Sequence, residues 1–218
     1  CVSSSDLYLA KNVPEADKAE LLYSQGVAQY EISILQQNDL TAIPRVRKFF
    51  EYALDLDPLH PKAQVYITRI DDYADRQFNR YMERAKKLYA IKNRSATEEY
   101  DMVYAVARAG EVRSFDRELM QLKSNTREQR NAIVERRMGP LLDHEERILA
   151  EKDPRVLARL VPEANRLMQS IDNVDPGNRT VERTRQTVGE HIATLAEKDI
   201  DEAKTHLAKN RYAEAEAS

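Results

Sequence analysis

The chain has 218 residues, 42% hydrophobic and 33% charged, enough for one elongated domain or two small ones with a core and a charged exterior. Only 5 glycines and 8 prolines punctuate it, which argues against a turn-rich β sandwich and suits long helices. With 34 basic against 37 acidic side chains and a formal charge of -3, it has no broad positive field to draw nucleic acid phosphates.

The chain opens on its single cysteine, Cys1, followed by Val2-Ser3-Ser4-Ser5-Asp6. That small, polar run has no apolar periodicity, so residues 1–13 are expected to form a flexible tether. A chain that starts at cysteine and continues in this way resembles a mature bacterial lipoprotein. The resemblance implies lipidation at Cys1 and a membrane-anchored protein in the bacterial periplasm. Val2, rather than Asp, at the second position points by analogy to the outer membrane without settling the choice. Buried acyl chains contribute about 0.8 kcal/mol per CH₂, and stable attachment takes more than one. No run in the sequence approaches the ~18 apolar residues of a membrane-spanning helix.

Pro14 suits a first helical turn, and a helix is predicted from there to about Gln37, with Leu21, Leu22, Gln25, Gly26, Gln29 and Tyr30 at 3–4 spacing. Asn38-Asp39 breaks it, and Thr41 is the expected cap of a second helix. That helix carries Ile43, Val46, Phe50, Ala53 and Leu54 on one stripe and ends at Asp57-Pro58. A third is predicted to start at Pro61 and run to about Ile91, with Val65, Tyr66, Ile70, Tyr73, Phe78, Met82, Ala85 and Tyr89 as its apolar face. After Lys92-Asn93-Arg94, the capping-box pattern Ser95-Ala96-Thr97-Glu98 starts a fourth.

Met102, Val103 and Val106 lead to Gly110, and Val112, Phe115, Leu119 and Leu122 form a further apolar stripe. Thr126-Arg127-Glu128-Gln129 offers another capping box, and Gly139-Pro140 is expected to interrupt or kink the helix that follows. Asp153-Pro154 starts a short helix, Pro162 is read as the start of the next, and Asp175-Pro176-Gly177-Asn178 is a turn. A last long helix is expected from Thr180 to about Lys209, with one more opening at Tyr212. No segment alternates like a strand, so the class is all-α.

Phe49-Phe50-Glu51-Tyr52-Ala53-Leu54-Asp55-Leu56-Asp57-Pro58, preceded by Leu22 and Gly26 a helix earlier, resembles the tetratricopeptide repeat. In that family a small residue marks a close helix crossing, the second helix carries an aromatic and then an alanine, and an acidic-proline turn closes the unit. The connection from Gly26 to Ile43 exceeds the family norm by roughly eight residues. Val161, Ala164, Met168, Ile171 and Pro176 repeat the spacing of Ile43, Val46, Phe50, Ala53 and Pro58, and Ala203, Leu207, Tyr212 and Ala215 give a third echo. The resemblance implies stacked antiparallel helix hairpins over 14–93 and again over 161–218, the last repeat being incomplete. Residues 94–160 form a helical middle region with degenerate repeats or none.

Chemistry is sparse. His60, His144, His191 and His206 lie far apart, and Asp143-His144-Glu145-Glu146 are consecutive residues that point around a helix, so no metal site is expected. Asp71, Asp72 and Asp75 neighbour Arg69 and Arg76, which makes ion pairing the simpler reading. No phosphate-cradling glycine loop, no catalytic residues and no cofactor are expected. The repeat resemblance implies a concave partner-binding surface that would include Tyr23, Val27, Tyr30, Lys62, Val65, Arg69 and Tyr73. Ten of the 11 tyrosines precede residue 105, all but Tyr212, and they suit such a surface; Tyr66, Tyr73 and Tyr89 also suit gap filling between long helices. The expectation is a non-catalytic, lipid-anchored scaffold that docks to another envelope protein or peptide in a transport, secretion or flagellar complex. Two alternatives stand beside it: a small-molecule binding protein that partners a solute transporter, and a self-assembling homo-oligomer.

Overall fold

The computed structural model describes residues 14–216, with Ala203 and residues 206–216 described by backbone alone. The tether and the lipidation position Cys1 lie outside the described residues, as do the side chains of the third repeat echo. The regular elements are all helices: α1 (Glu15–Gln29), α2 (Ile43–Leu56), α3 (Ala63–Tyr89), α4 (Ala96–Val112), α5 (Arg117–Asn125), α6 (Arg127–Ala150), α7 (Pro154–Asp172) and α8 (Arg179–Glu216). Among the described residues there is no strand, and no helix is long and apolar enough to cross a membrane. The chain divides into two units at Thr126/Arg127, inside the span 94–160.

In the first unit each helix packs on the next, from α1 through α5. The predicted stripe of α2 is its buried face: Ile43, Val46, Phe50 and Ala53 are enclosed, while Leu54 is half-buried at its edge. Burial of a side chain the size of Phe50 contributes about 2–3 kcal/mol. Gly26 is where α1 meets it. A Cβ there would stand 2.8 Å from Phe50 Cζ and 3.0 Å from Phe49 Cβ, so the absent side chain sets the approach of the two helices.

After Gln29 the helix continues as a widened segment, Tyr30–Gln36, in which the Gln37 amide donates to the Ile32 carbonyl at 3.0 Å. The chain then turns at Asn38, whose φ of 52° is left-handed. Thr41 does not cap the next element. Asp39 does, accepting from the Thr41 amide at 3.0 Å and its hydroxyl at 2.5 Å ahead of a short 3₁₀ turn, Leu40–Ala42. α2 ends at Asp57, held extended ahead of Pro58 as expected.

α3 starts two residues beyond Pro61 because His60 supplies the cap: its Nδ1 accepts from the Ala63 amide at 3.2 Å. Of the predicted apolar face, Ile70, Phe78, Met82 and Ala85 are buried, joined by Ala63, Ile67 and Tyr81; Val65 and Tyr89 are exposed. The capping box of α4 forms as read, with Ser95 and Glu98 exchanging hydrogen bonds. Lys86 and Arg84 at the far end of α3 reach Glu118 and Asp101 at 2.7 and 2.6 Å. The stripe from Val112 to Leu122 is broken, however. α4 stops at Val112, Asp116 caps α5 through the Glu118 and Leu119 amides, and Phe115 is left in the connection, 91% exposed.

Thr126 is the end of α5 rather than a capping-box start: its hydroxyl donates back to the Leu122 carbonyl at 2.8 Å. In the second unit α6, α7 and α8 pack around Leu141, Ile148, Leu157, Leu160, Ala164, Met168, Ile171, Val181 and Val188. Ala164, Met168 and Ile171 of the second echo are therefore core, with Val161 half-buried beside them. Two expected breaks are absent. Pro140 and Pro162 both sit inside continuous helices, with Pro162 in α7 and Pro140 in α6. Both prolines are exposed, so neither ring intrudes on the core. Asp153 caps α7 as predicted, and Gly177, with φ at 76°, makes the turn before α8. α8 runs through Tyr212 to Glu216 without the expected restart.

Candidate functional site

The residues singled out on the first three helices converge on one aromatic cluster. Tyr23 on α1 has its ring edge against Tyr66 at 5.6 Å and Phe50 at 5.9 Å, and Tyr66 stacks on Phe50 at 5.0 Å with the planes 18° apart. Tyr30 meets the same Tyr66 ring edge-on at 5.8 Å. Tyr66, assigned in the sequence to gap filling, is thus the centre that joins α1 to α3. The neighbouring positions at the start of α3 and just before it face outward: Lys62, Val65 and Arg69 are all exposed, Val65 by 48%.

The two cations sit over the rings. Lys62 Nζ lies 5.8 Å from the Tyr23 centroid, and the Arg69 guanidinium lies 5.1 Å from that of Tyr66. His60 closes one end, its ring 5.0 Å from Tyr23 and its Nε2–H directed at Glu20 Oε2 at 3.1 Å. Burial raises the Tyr23 phenol above its usual range, and the neighbouring Tyr66 and Glu20 push it the same way while Arg69 opposes. The phenol therefore stays a neutral donor at physiological pH. Val27 and Tyr30 are half-buried on the α1 side. Tyr73 stands further along α3, where its hydroxyl donates to Asn38 Oδ1 at 3.3 Å and burial raises its pKa. Six of the seven predicted surface residues thus adjoin the aromatic cluster or flank it, whereas Tyr73 is held by the α1–α2 connection.

Sequence reasoning missed a second constellation in the same unit. Arg108 on α4 reaches the Asn38 carbonyl at 2.6 Å, pairs with Glu111 and lies 5.7 Å from the Tyr81 ring. Arg80 donates to the Tyr81 hydroxyl at 3.0 Å. Burial alone would raise the Tyr81 phenol, but the Arg108 and Arg80 donors bring it below its usual range. Glu111 is raised by burial, with Arg108 opposing. Nothing in the local pattern announces this group except a charged residue set among Ala105, Val106, Ala107 and Ala109.

The acidic clusters go elsewhere than expected. Asp71 pairs with Arg47 of α2 at 3.0 Å and Asp75 with Arg113 just past the end of α4, not with Arg69 or Arg76. His144 turns to Glu163 at 2.9 Å, while its neighbour Glu145 is buried and accepts from Thr184 Oγ1 at 2.8 Å. Among the described residues no three His, Cys, Asp or Glu side chains come together as metal ligands. In the second unit an open apolar groove of about 390 Å³ lies between α7 and α8. Comparison with protein-family models, with curated proteins and with solved structures finds no match for the chain.

Proposed function

We propose that the protein is a non-catalytic interaction scaffold of tetratricopeptide type, anchored through lipid on Cys1 and facing the periplasm, which holds an extended or helical segment of another envelope protein on its α1–α3 face. The observation that carries this reading is the aromatic cluster topped by exposed Lys62, Val65 and Arg69. Tyrosine rings present a rigid apolar body with a polar edge, and arginine beside them is the combination enriched where partners bind. The two cations recognise carboxylates, so the docked segment carries acidic side chains next to an apolar one that meets Val65. The close approach at Gly26 supports the tetratricopeptide part of the reading, since a small residue at a crossing beside an aromatic is that family's packing device.

A photo-crosslinking amino acid placed at position 65 of the full-length, membrane-attached protein tests it. The same envelope protein should be captured in independent preparations, with the crosslink in an acidic segment. Capture there of no protein, or only of this chain, overturns the reading.

A further inference from the structure

The groove of the second unit is independent of the α1–α3 face. Pro154, Leu157, Ala158, Val161 and Pro162 of α7 form one wall, and Ile192, Leu195, Ala196 and Asp199 of α8 the other. The core contacts of α8 end near Leu195, yet its backbone continues to Glu216. Ile192, Ala196 and Ile200 follow each other at four-residue spacing, so an apolar stripe leads out of the groove, with Ile200 54% exposed. An open apolar trough and an exposed helical stripe thus lie side by side on one chain.

Charge distinguishes the two. Beside the groove the solvent side of α7 carries Arg155, Arg159 and Arg166 against the single acid Glu163, a surplus of two positive charges over 154–166. The stretch 197–202 of α8 carries Glu197, Asp199, Asp201 and Glu202 against Lys198, a surplus of three negative charges. Among the described residues, Arg155, Arg159 and Asp199 form no ion pair with one another or with any other side chain. An occupant of the groove therefore needs an apolar helical stripe with an acidic flank, and the distal part of α8 has both.

We propose that two copies of this chain associate through their second units, each laying the segment of α8 around Ile200 on the α7 side of the other's groove, with its acidic flank against Arg155 and Arg159. The arrangement is reciprocal, so one pairing buries both stripes and both grooves in a closed dimer. An acid-on-acid contact between the two α8 helices alone would be repulsive, which selects the α7 wall as the facing surface.

The full chain is measured by light scattering and sedimentation over roughly 1–100 µM, under reducing conditions so that Cys1 cannot crosslink copies. The expected result is a concentration-dependent dimer. Ile200→Asp, at an exposed position that leaves the helical signal unchanged, should weaken it by about tenfold or more. Arg155→Glu/Arg159→Glu and Asp199→Lys/Glu202→Lys should each be monomeric alone, and their equimolar mixture should restore the dimer, because each altered surface then faces its opposite. A wild-type monomer throughout the range overturns the proposal. So does a dimer indifferent to all three variants, or a monomer whose groove instead takes up the apolar dye anilinonaphthalene sulfonate without change of mass.

Discussion

Gly26 lies so close to Phe50 that a β-carbon on it would come within 2.8 Å of the Phe50 Cζ atom. The ring cannot swing aside freely, because Tyr66 stacks on one face at 5.0 Å and Tyr23 closes on it at 5.9 Å. Gly26→Ala should therefore destabilise the first unit by about 1–3 kcal/mol, against the gain in helix propensity that alanine ordinarily brings. Urea denaturation checks this. Pairing the change with Phe50→Leu should recover part of the loss, since the shorter side chain vacates the space the new methyl needs.

Arg108 ties three elements together through the Asn38 carbonyl, Glu111 and the Tyr81 ring. Arg108→Met keeps much of the stem's packing but strands Glu111, whose pKa burial already raises. The expected loss is roughly 2–3 kcal/mol at neutral pH. It should shrink in the double variant Arg108→Met/Glu111→Gln. A double variant no more stable than the single one would show that Glu111 is not the stranded charge.

The capping box gives a pH signature. The Glu98 carboxylate is held below its usual range by the Ser95 backbone N–H and, after it, by the Ser95 hydroxyl. A carboxyl whose folded pKa is depressed contributes stability above its unfolded pKa and loses it as pH falls through the folded value. The stability gap between wild type and Glu98→Gln should thus be open at pH 7 and close on acidification below about pH 4. Ser95→Ala, which removes the cap itself, should cost ~1 kcal/mol at neutral pH.

How much of this was legible in the sequence depends on the range of the interaction that decides each residue. The α2 stripe and the Ser95 cap are local, and their residues alone specify them. Phe115 fits the helical spacing from Val112 to Leu122, yet Asp116 offers two amides a cap and so moves the helix start past it. Thr41 lost to Asp39 in the same way, two residues earlier. Pro140 and Pro162 mislead for a different reason: a proline costs a helix one hydrogen bond and some crowding, and here the apolar residues packed on either side of each proline hold the helix through it, while the ring itself stays exposed. Of the candidate surface, Tyr23, Tyr30, Lys62 and Arg69 come together through the Tyr23 and Tyr66 rings, which meet between α1 and α3. Tyr66 and Arg108 depend on partners 43 and 70 residues away in sequence, Tyr23 and Asn38, and no local pattern carries that information.

Pro140 can be tested directly. It removes one amide donor from the middle of α6 without any contact in the core. Pro140→Ala should raise the stability of the second unit by about 1 kcal/mol, less than the ~3 kcal/mol an interior proline costs in an ideal helix because the local backbone has adapted to it. Thermal melts of the two proteins at the same concentration check it.

The exposed face of α3 should behave in the opposite manner. Lys62→Glu, Val65→Asp and Arg69→Glu all alter exposed positions, and the two charge changes lose only the cation–π contacts to Tyr23 and Tyr66, so each is expected to shift stability by about 1 kcal/mol or less. Lys62→Glu/Arg69→Glu should nevertheless abolish recovery of the partner captured at position 65. Retained recovery with normal stability would remove the cations from the recognition.

The widened segment Tyr30–Gln36 has a consequence for how such a unit tolerates change in length. A helix that bonds five residues back takes in one more residue per turn than the α form, and this wider stretch lies between Gly26 and Phe50 while the two remain in close approach. A one-residue insertion within Tyr30–Gln36 is therefore expected to act as slack in a belt rather than as a frameshift of the packing. A lineage could lengthen or shorten this stretch residue by residue while the crossing at Gly26 and the rings around Tyr66 keep their register.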